Sequence, residues 1–167
     1  LIVSKWILRM LGKKYDVDIS FSPKVAMDKP GSGLHLHFVL EKDGNNILGE
    51  GREFRTAALQ MIAGILKHAR SLCAFGNTIP VSYLRLAPNQ KAPKYICWGP
   101  SNRSALIRIP KINMKAFNDK SNNSDPEKFE PLFIYNQSIE YRGTDASAYL
   151  YFFVSALLTA SLDGLNN

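Results

Sequence analysis

Leu34-His35-Leu36-His37-Phe38-Val39-Leu40 alternates apolar and polar residues over its first five positions. Leu34, Leu36 and Phe38 point to one side and His35 and His37 to the other, which is the pattern of a β-strand with one face turned to a core. The turn cluster Asp43-Gly44-Asn45-Asn46 follows and predicts a hairpin-like connection. Beyond it, Phe54, Ala58, Met61, Ile65, Ala69 and Leu72 recur near a 3.6-residue spacing. Arg55, Lys67 and Arg70 fall mostly elsewhere, so one helix is predicted over Phe54–Cys73, stopped by Gly76-Asn77.

The same reading extends in both directions. Ile2, Trp6, Ile7 and Met10 share one side of a helix over Ile2–Leu11, with Lys13 and Lys14 suited to its C-terminal end. Asp16–Phe21 alternates and predicts a second strand, while Pro23–Ser32 is a loop. Lys94–Trp98 and Ala105–Ile109 predict two strands joined by the polar turn 99–102, and Ser138–Arg142 another. Asp145 is placed to cap a last helix running to about Leu162 and ending at Gly164. Runs of strands with helices between and after them predict an α+β fold, a mainly antiparallel sheet flanked by helices. Residues 1–167 read as a single, partial domain; the turn-rich stretch 111–131 reads as a mobile loop within it.

Composition restricts the function classes. Hydrophobic residues at 46% and charged residues at 21% are the balance of a globular domain able to bury a core. The most apolar run, Ala148–Leu158, is too short to span a bilayer, so no membrane partner is expected. The start has no signal-peptide layout, which points to the cytoplasm, and no initiator Met, which points to a segment upstream. Cys73 and Cys97 lack metal-ligand spacing and read as buried thiols. The net charge of +7 suits either nucleic acid or nucleotide phosphates. The basic residues are scattered without a nucleic-acid signature, which argues against the former.

Four short stretches carry chemistry-bearing side chains. In Gly31-Ser32-Gly33-Leu34-His35-Leu36-His37, the glycines admit a ligand close to the backbone. The two imidazoles share a strand face about 7 Å apart, able to ligate a divalent metal or donate to phosphate. An isolated His-x-His is also the pattern of two solvated histidines. Arg85, just before Leu86-Ala87-Pro88, can clamp a carboxylate bidentately or simply face water. Arg103 and Arg108 sit at an odd offset, so they meet on one side only if Arg103 swings round within the turn. Two guanidiniums together suit a transferring phosphoryl group. Glu140 and Arg142 share a strand face and read as a metal ligand beside an anion holder, or as a surface ion pair.

Taken in order, Gly31–His37, the stretch 82–93, Asn102–Pro110, Glu140–Arg142 and Ser161–Gly164 resemble the successive C-terminal motifs of glutamine synthetases. The match covers nearly the whole chain and is most specific over Asn102–Pro110. It is closer to the bacterial form built of two stacked hexameric rings. The resemblance implies ligation of ammonia to the side-chain carboxylate of glutamate, driven by ATP through a γ-glutamyl phosphate. By the same resemblance His35 and Glu140 ligate Mg²⁺ or Mn²⁺, and His37, Arg103 and Arg108 contact the ATP phosphates. Arg103 and Arg108 stabilise the transferring phosphoryl group, and Gly31, Arg85 and Arg142 hold glutamate. It implies a parent protein that is a homo-oligomeric ring with ATP, glutamate and ammonia as its partners.

The departures from the pattern are equally specific. Pro30 stands where the family has Asn, Lys91 where it has the Glu of a substrate-covering flap, and Ser138 where it often has Arg. A cation at position 91 repels ammonium. The family's other metal-binding glutamates and its small N-terminal domain lie upstream of the matched region. The chain alone is therefore expected to be catalytically incompetent. The alternative is a degenerate, non-catalytic homologue that acts as a structural or regulatory binding module.

Overall fold

The computed structural model describes residues 1–50, 53–87, 92–110 and 137–167, with the side chains of Glu50, Glu53 and Phe54 excepted. The loop expected at 111–131, and Lys91, lie outside the described residues. Along the chain come helix α1 (Ile2–Lys14) and strands β1 (Leu36–Phe38), β2 (Glu41–Lys42), β3 (Asn45–Asn46), β4 (Gly49–Glu50) and β5 (Glu53–Phe54). Helices α2 (Thr56–Lys67), α3 (Ala69–Gly76) and α4 (Pro80–Arg85) follow, then strands β6 (Tyr95–Pro100), β7 (Ala105–Ile109) and β8 (Ile139–Tyr141) and helix α5 (Leu150–Leu165).

One sheet, in the order β1-β8-β7-β6, carries the architecture. β8 pairs antiparallel with β1 on one side and β7 on the other. Two short antiparallel hairpins, β2–β3 and β4–β5, follow β1, and Asp43 and Gly44 adopt the left-handed conformations that such a turn needs. The sheet is mainly antiparallel and flanked by helices, as its residue pattern predicts.

The apolar stripe predicted on the long helix is the core. Ala58, Met61, Ile65, Ala69 and Leu72 are buried, packed with Ile107, Ile139, Tyr141, Phe153 and Leu157. The Tyr141 and Phe153 rings meet at 5.3 Å. α2 and α5 cross so closely that a Cβ on Gly164 would stand 2.0 Å from the Gln60 carbonyl oxygen, and one on Gly64 2.2 Å from that of Ala160. Gly164 therefore lies inside α5, as a contact surface and not as the predicted stop.

Several expectations need correction. The predicted helix Phe54–Cys73 is two helices broken at His68, whose φ of −97° and ψ of 10° interrupt the ladder. The apolar stripe runs on through the break, so periodicity alone does not reveal it. Asp16–Phe21 is not a strand. Asp16 turns left-handed, Val17 N–H donates to the Gly12 carbonyl, and Ile19 lies against Gly12 of α1. A strand exists only where a second one pairs with it, and none of the described strands reaches this segment. Asp145 does not cap α5, which begins five residues later at Leu150. It is fully buried and accepts from Asn77 Nδ2 and Ser147 N–H, each at 2.9 Å. β6 and β7 pair in parallel, despite the short connection between them. In that connection Ser101 is left-handed and donates its N–H to Ile109, and Asn102 Oδ1 accepts from Ser104 N–H. Cys73 and Cys97 are free and half-buried. α1 forms as predicted, but Ile2, Trp6, Ile7 and Met10 remain exposed. No helix among the described residues is long and apolar enough to cross a membrane.

Candidate functional site

Sheet register decides which side chains meet. Glu140, at the middle of β8, stands opposite His37 on β1 and Arg108 on β7. Arg142 and His35 lie two residues along from this row, on the same face by the period-2 rule. Glu140 Oε2 accepts from Arg108 Nη1 at 2.7 Å, and Oε1 from Arg142 Nη1 at 2.9 Å. His35 Nδ1 lies 2.9 Å from Oε1 and His37 Nε2 3.8 Å from it.

Glu140 is only 2% exposed, so this is not the surface ion pair that the sequence left open. Burial by itself would push its carboxyl group up. The hydrogen bond with His35 and the guanidiniums of Arg142 and Arg108 outweigh burial and hold it down at about 2. His37 is shifted down, first because burial disfavours its charged form, with Arg108 and Arg142 adding to that against the attraction of Glu140.

His35, Ala92, Lys94, Arg103, Ser104, Arg108, Glu140 and Arg142 line one open cleft of about 520 Å³. Arg103 does reach the cleft from the connection preceding β7, so the odd offset from Arg108 is overcome by the turn. Lys94 and Ser104 were not singled out in the sequence. The only signal was a basic residue at the start of the predicted strand Lys94–Trp98.

Arg85 is near this cleft but does not line it. It is buried at the end of α4, and its Nη2 donates to the carbonyls of Gly143 and of Thr144, the latter at 3.0 Å. Burial shifts it down, and Asp145 partly offsets this. The Gly31-Ser32-Gly33 turn lies directly over it. A Cβ on Gly31 would come within 2.6 Å of Arg85 Cγ, and one on Gly33 would sit 2.9 Å from Arg85 Nη1 and 3.0 Å from His35 Nε2. The glycines thus let Arg85 and His35 approach across a bare backbone. Pro30 is exposed and Ser138 buried.

The donors present do not complete a site for a hard divalent cation, which takes about six ligands, mostly oxygen. His35 and Glu140 are two donors, and both oxygens of Glu140 already accept from arginine. No group of three His, Cys, Asp or Glu side chains gathers for a metal among the described residues. What the arrangement can do is bind anions, since four cationic side chains converge where there is one carboxylate. Two further grooves run along α1. The larger, about 500 Å³, has Lys5 and Arg9 beside the Phe21 ring. Each of these grooves is lined by two cationic side chains with at least one aspartate, against four cations and one carboxylate in the cleft.

The family described as "Glutamine synthetase, catalytic domain" matches residues 1–167. Glutamine synthetase of Pyrococcus woesei is 40% identical over 163 residues, covering 98% of this chain and 33% of the relative. That of Thermotoga maritima is 35% identical over 170 residues, again covering 98% and 33%. The cryo-EM structure of Plasmodium falciparum glutamine synthetase superimposes with a TM-score of 0.80 at 26% identity, covering 98% of this chain and 29% of that one. The chain thus spans about a third of the length of the curated relatives it matches.

Proposed function

The chain belongs to the glutamine synthetase catalytic-domain family, and from that premise we propose that it supplies the phosphate side of the active site in an ATP-dependent glutamate–ammonia ligase. In that reaction a carboxylate oxygen of glutamate attacks the terminal phosphorus of ATP, giving γ-glutamyl phosphate and ADP. Ammonia then attacks the acyl carbon, phosphate leaves, and a proton is lost to give glutamine.

The observation that carries this reading is the convergence of His35, Arg103, Arg108, Glu140 and Arg142 on one cleft. Arg103 and Arg108 are suited to the equatorial oxygens of the phosphoryl group, where charge gathers as it transfers. His37, whose Nε2 stands 3.8 Å from Glu140 Oε1, is assigned to the nucleotide phosphates. Arg142 holds glutamate from within the cleft. Arg85 and Gly31 act from behind it, Arg85 by fixing the Gly143–Thr144 backbone and Gly31 by letting the turn close over Arg85. Glu140 pre-aligns Arg108 and Arg142, so neither must be ordered when substrate arrives.

Family membership implies a divalent cation for the whole protein, and we assign Mg²⁺ or Mn²⁺ with His35 and Glu140 as part of its ligand set. The remaining ligands come from outside this chain, so no catalytic step is assigned to the metal here. A cytoplasmic homo-oligomer of the intact protein completes the proposal.

Calorimetric titration with ATP and Mn²⁺, with and without glutamate, tests it. The expected result is saturable ATP binding that Arg103→Gln weakens. Absence of binding at millimolar ATP would sink the phosphate-site reading. A second reading, a non-catalytic binding module, is favoured by the donor set around Glu140, which is incomplete among the described residues. It predicts that nucleotide binding is unaffected when Mn²⁺ is replaced by chelator.

A further inference from the structure

Arg85 and Arg142 are both buried, and their charges repel through the protein interior. Arg142 has a counter-charge in contact, Glu140. Arg85 makes no ion pair among the described residues and donates only to the carbonyls of Gly143 and Thr144. The negative group that most favours its charge is Asp145, which is fully buried and acts through space.

Asp145 is held still. Its Oδ2 accepts from Asn77 Nδ2 and its Oδ1 from Ser147 N–H, each at 2.9 Å, while its own N–H donates to Gly76. Asn77 Nδ2 also donates at 2.9 Å to the Gly143 carbonyl, the one that Arg85 shares. The Thr144 carbonyl accepts from Arg85 at 3.0 Å and from Leu34 N–H at 2.9 Å. The three residues that follow Arg142 are thus pinned one after another. Without the Asp145 charge, the buried Arg85 guanidinium is uncompensated. Turning it toward water would release both carbonyls and the backbone that carries Arg142.

We propose that Asp145, oriented by Asn77, is a positioning residue for glutamate: it keeps Arg85 on the Gly143 and Thr144 carbonyls and so fixes where Arg142 presents its guanidinium. This deepens the assignment of Arg142 to glutamate and rests on it. Neither Asp145 nor Asn77 lines the cleft.

The test titrates the 167-residue chain with L-glutamate and Mn²⁺ and, separately, with ATP and Mn²⁺, and follows the Arg142 Nε–Hε signal by NMR. Asp145→Asn keeps the shape and removes the charge. It is expected to weaken glutamate binding about tenfold, equivalent to losing one hydrogen bond to a charged group. The Arg142 signal should shift, and ATP binding should change less than glutamate binding. A lower urea midpoint with unchanged glutamate affinity and an unmoved Arg142 signal would leave Asp145 a role in stability alone and overturn the proposal. Asn77→Ser keeps the charge and removes its orienting amide, and is expected to weaken glutamate binding by a smaller factor. If Asp145→Asn does not fold, unchanged glutamate affinity in Asn77→Ser overturns the proposal instead. So does a wild-type chain that binds ATP but no glutamate, and the phosphate-site reading then stands. Glutamate binding that depends on Asp145, with no ATP binding, would keep the positioning role and remove the phosphate-site reading.

Discussion

Removing the Glu140 carboxylate leaves the Arg108 and Arg142 guanidiniums without the counter-charge that both engage. Breaking one side of a buried ion pair costs about 3–5 kcal/mol because the remaining charge is uncompensated. Glu140→Gln keeps the shape and one acceptor oxygen, so a loss nearer about 3 kcal/mol is expected, read as a lower urea midpoint. The same residue predicts a pH dependence. Its folded value of about 2 lies below the ordinary 4.5, so its contribution is complete above 4.5 and is lost as pH falls toward 2. Wild type should lose stability over that acid window, and Glu140→Gln should show a shallower loss there. Arg85 is a different case, being tied to carbonyls and not to a carboxylate. The type and position of Glu140, His35 and Arg142 were legible in the sequence, since a period-2 strand puts i and i+2 on one face. That Glu140 binds both arginines was not, because it depends on which strands lie beside β8.

Helices α2 and α5 meet through glycines, and this makes a sharp test of the crossing. Alanine in a helix is normally favoured over glycine by about 1 kcal/mol. At Gly164 the added methyl would stand 2.0 Å from a backbone oxygen of α2 that no rotamer change can move aside. Overpacking of this kind costs about 1–3 kcal/mol or more. Gly164→Ala should therefore be net destabilising, by about 2 kcal/mol, seen as a fall in Tm by thermal denaturation. Had Gly164 been only a helix stop, the same change would have been mild. The elements themselves were mostly readable: the buried stripe of α2 and α3, strand β7 and the turn at Asp43-Gly44 follow from local periodicity and turn chemistry. The misses share a cause. The break at His68, the absent strand at 16–21, the parallel β6–β7 pair and the buried Asp145 are all set by what packs opposite, which local pattern does not encode.

Apolar surface remains uncovered on a large scale. α1 presents Val3, Trp6 and Met10 to solvent, β6, at the edge of the sheet among the described residues, presents Tyr95 and Ile96, and α5 presents Tyr151 and Phe152. Exposed edges and apolar faces of this kind promote association. The 18.7 kDa chain is therefore expected to self-associate with rising concentration, measured by light scattering. Trp6→Glu should shift the distribution toward monomer, and a chain that stays monomeric throughout would contradict the expectation. The order of motifs along the chain determined the family and the fold class without any coordinates, because motif order and hydrophobic period are properties of sequence. Tertiary structure alone decided that Arg103 reaches the cleft, that Arg85 stands behind it, and that Lys94 joins its rim. Strand register and turn geometry make those choices, and both arise from contacts between residues far apart in the chain.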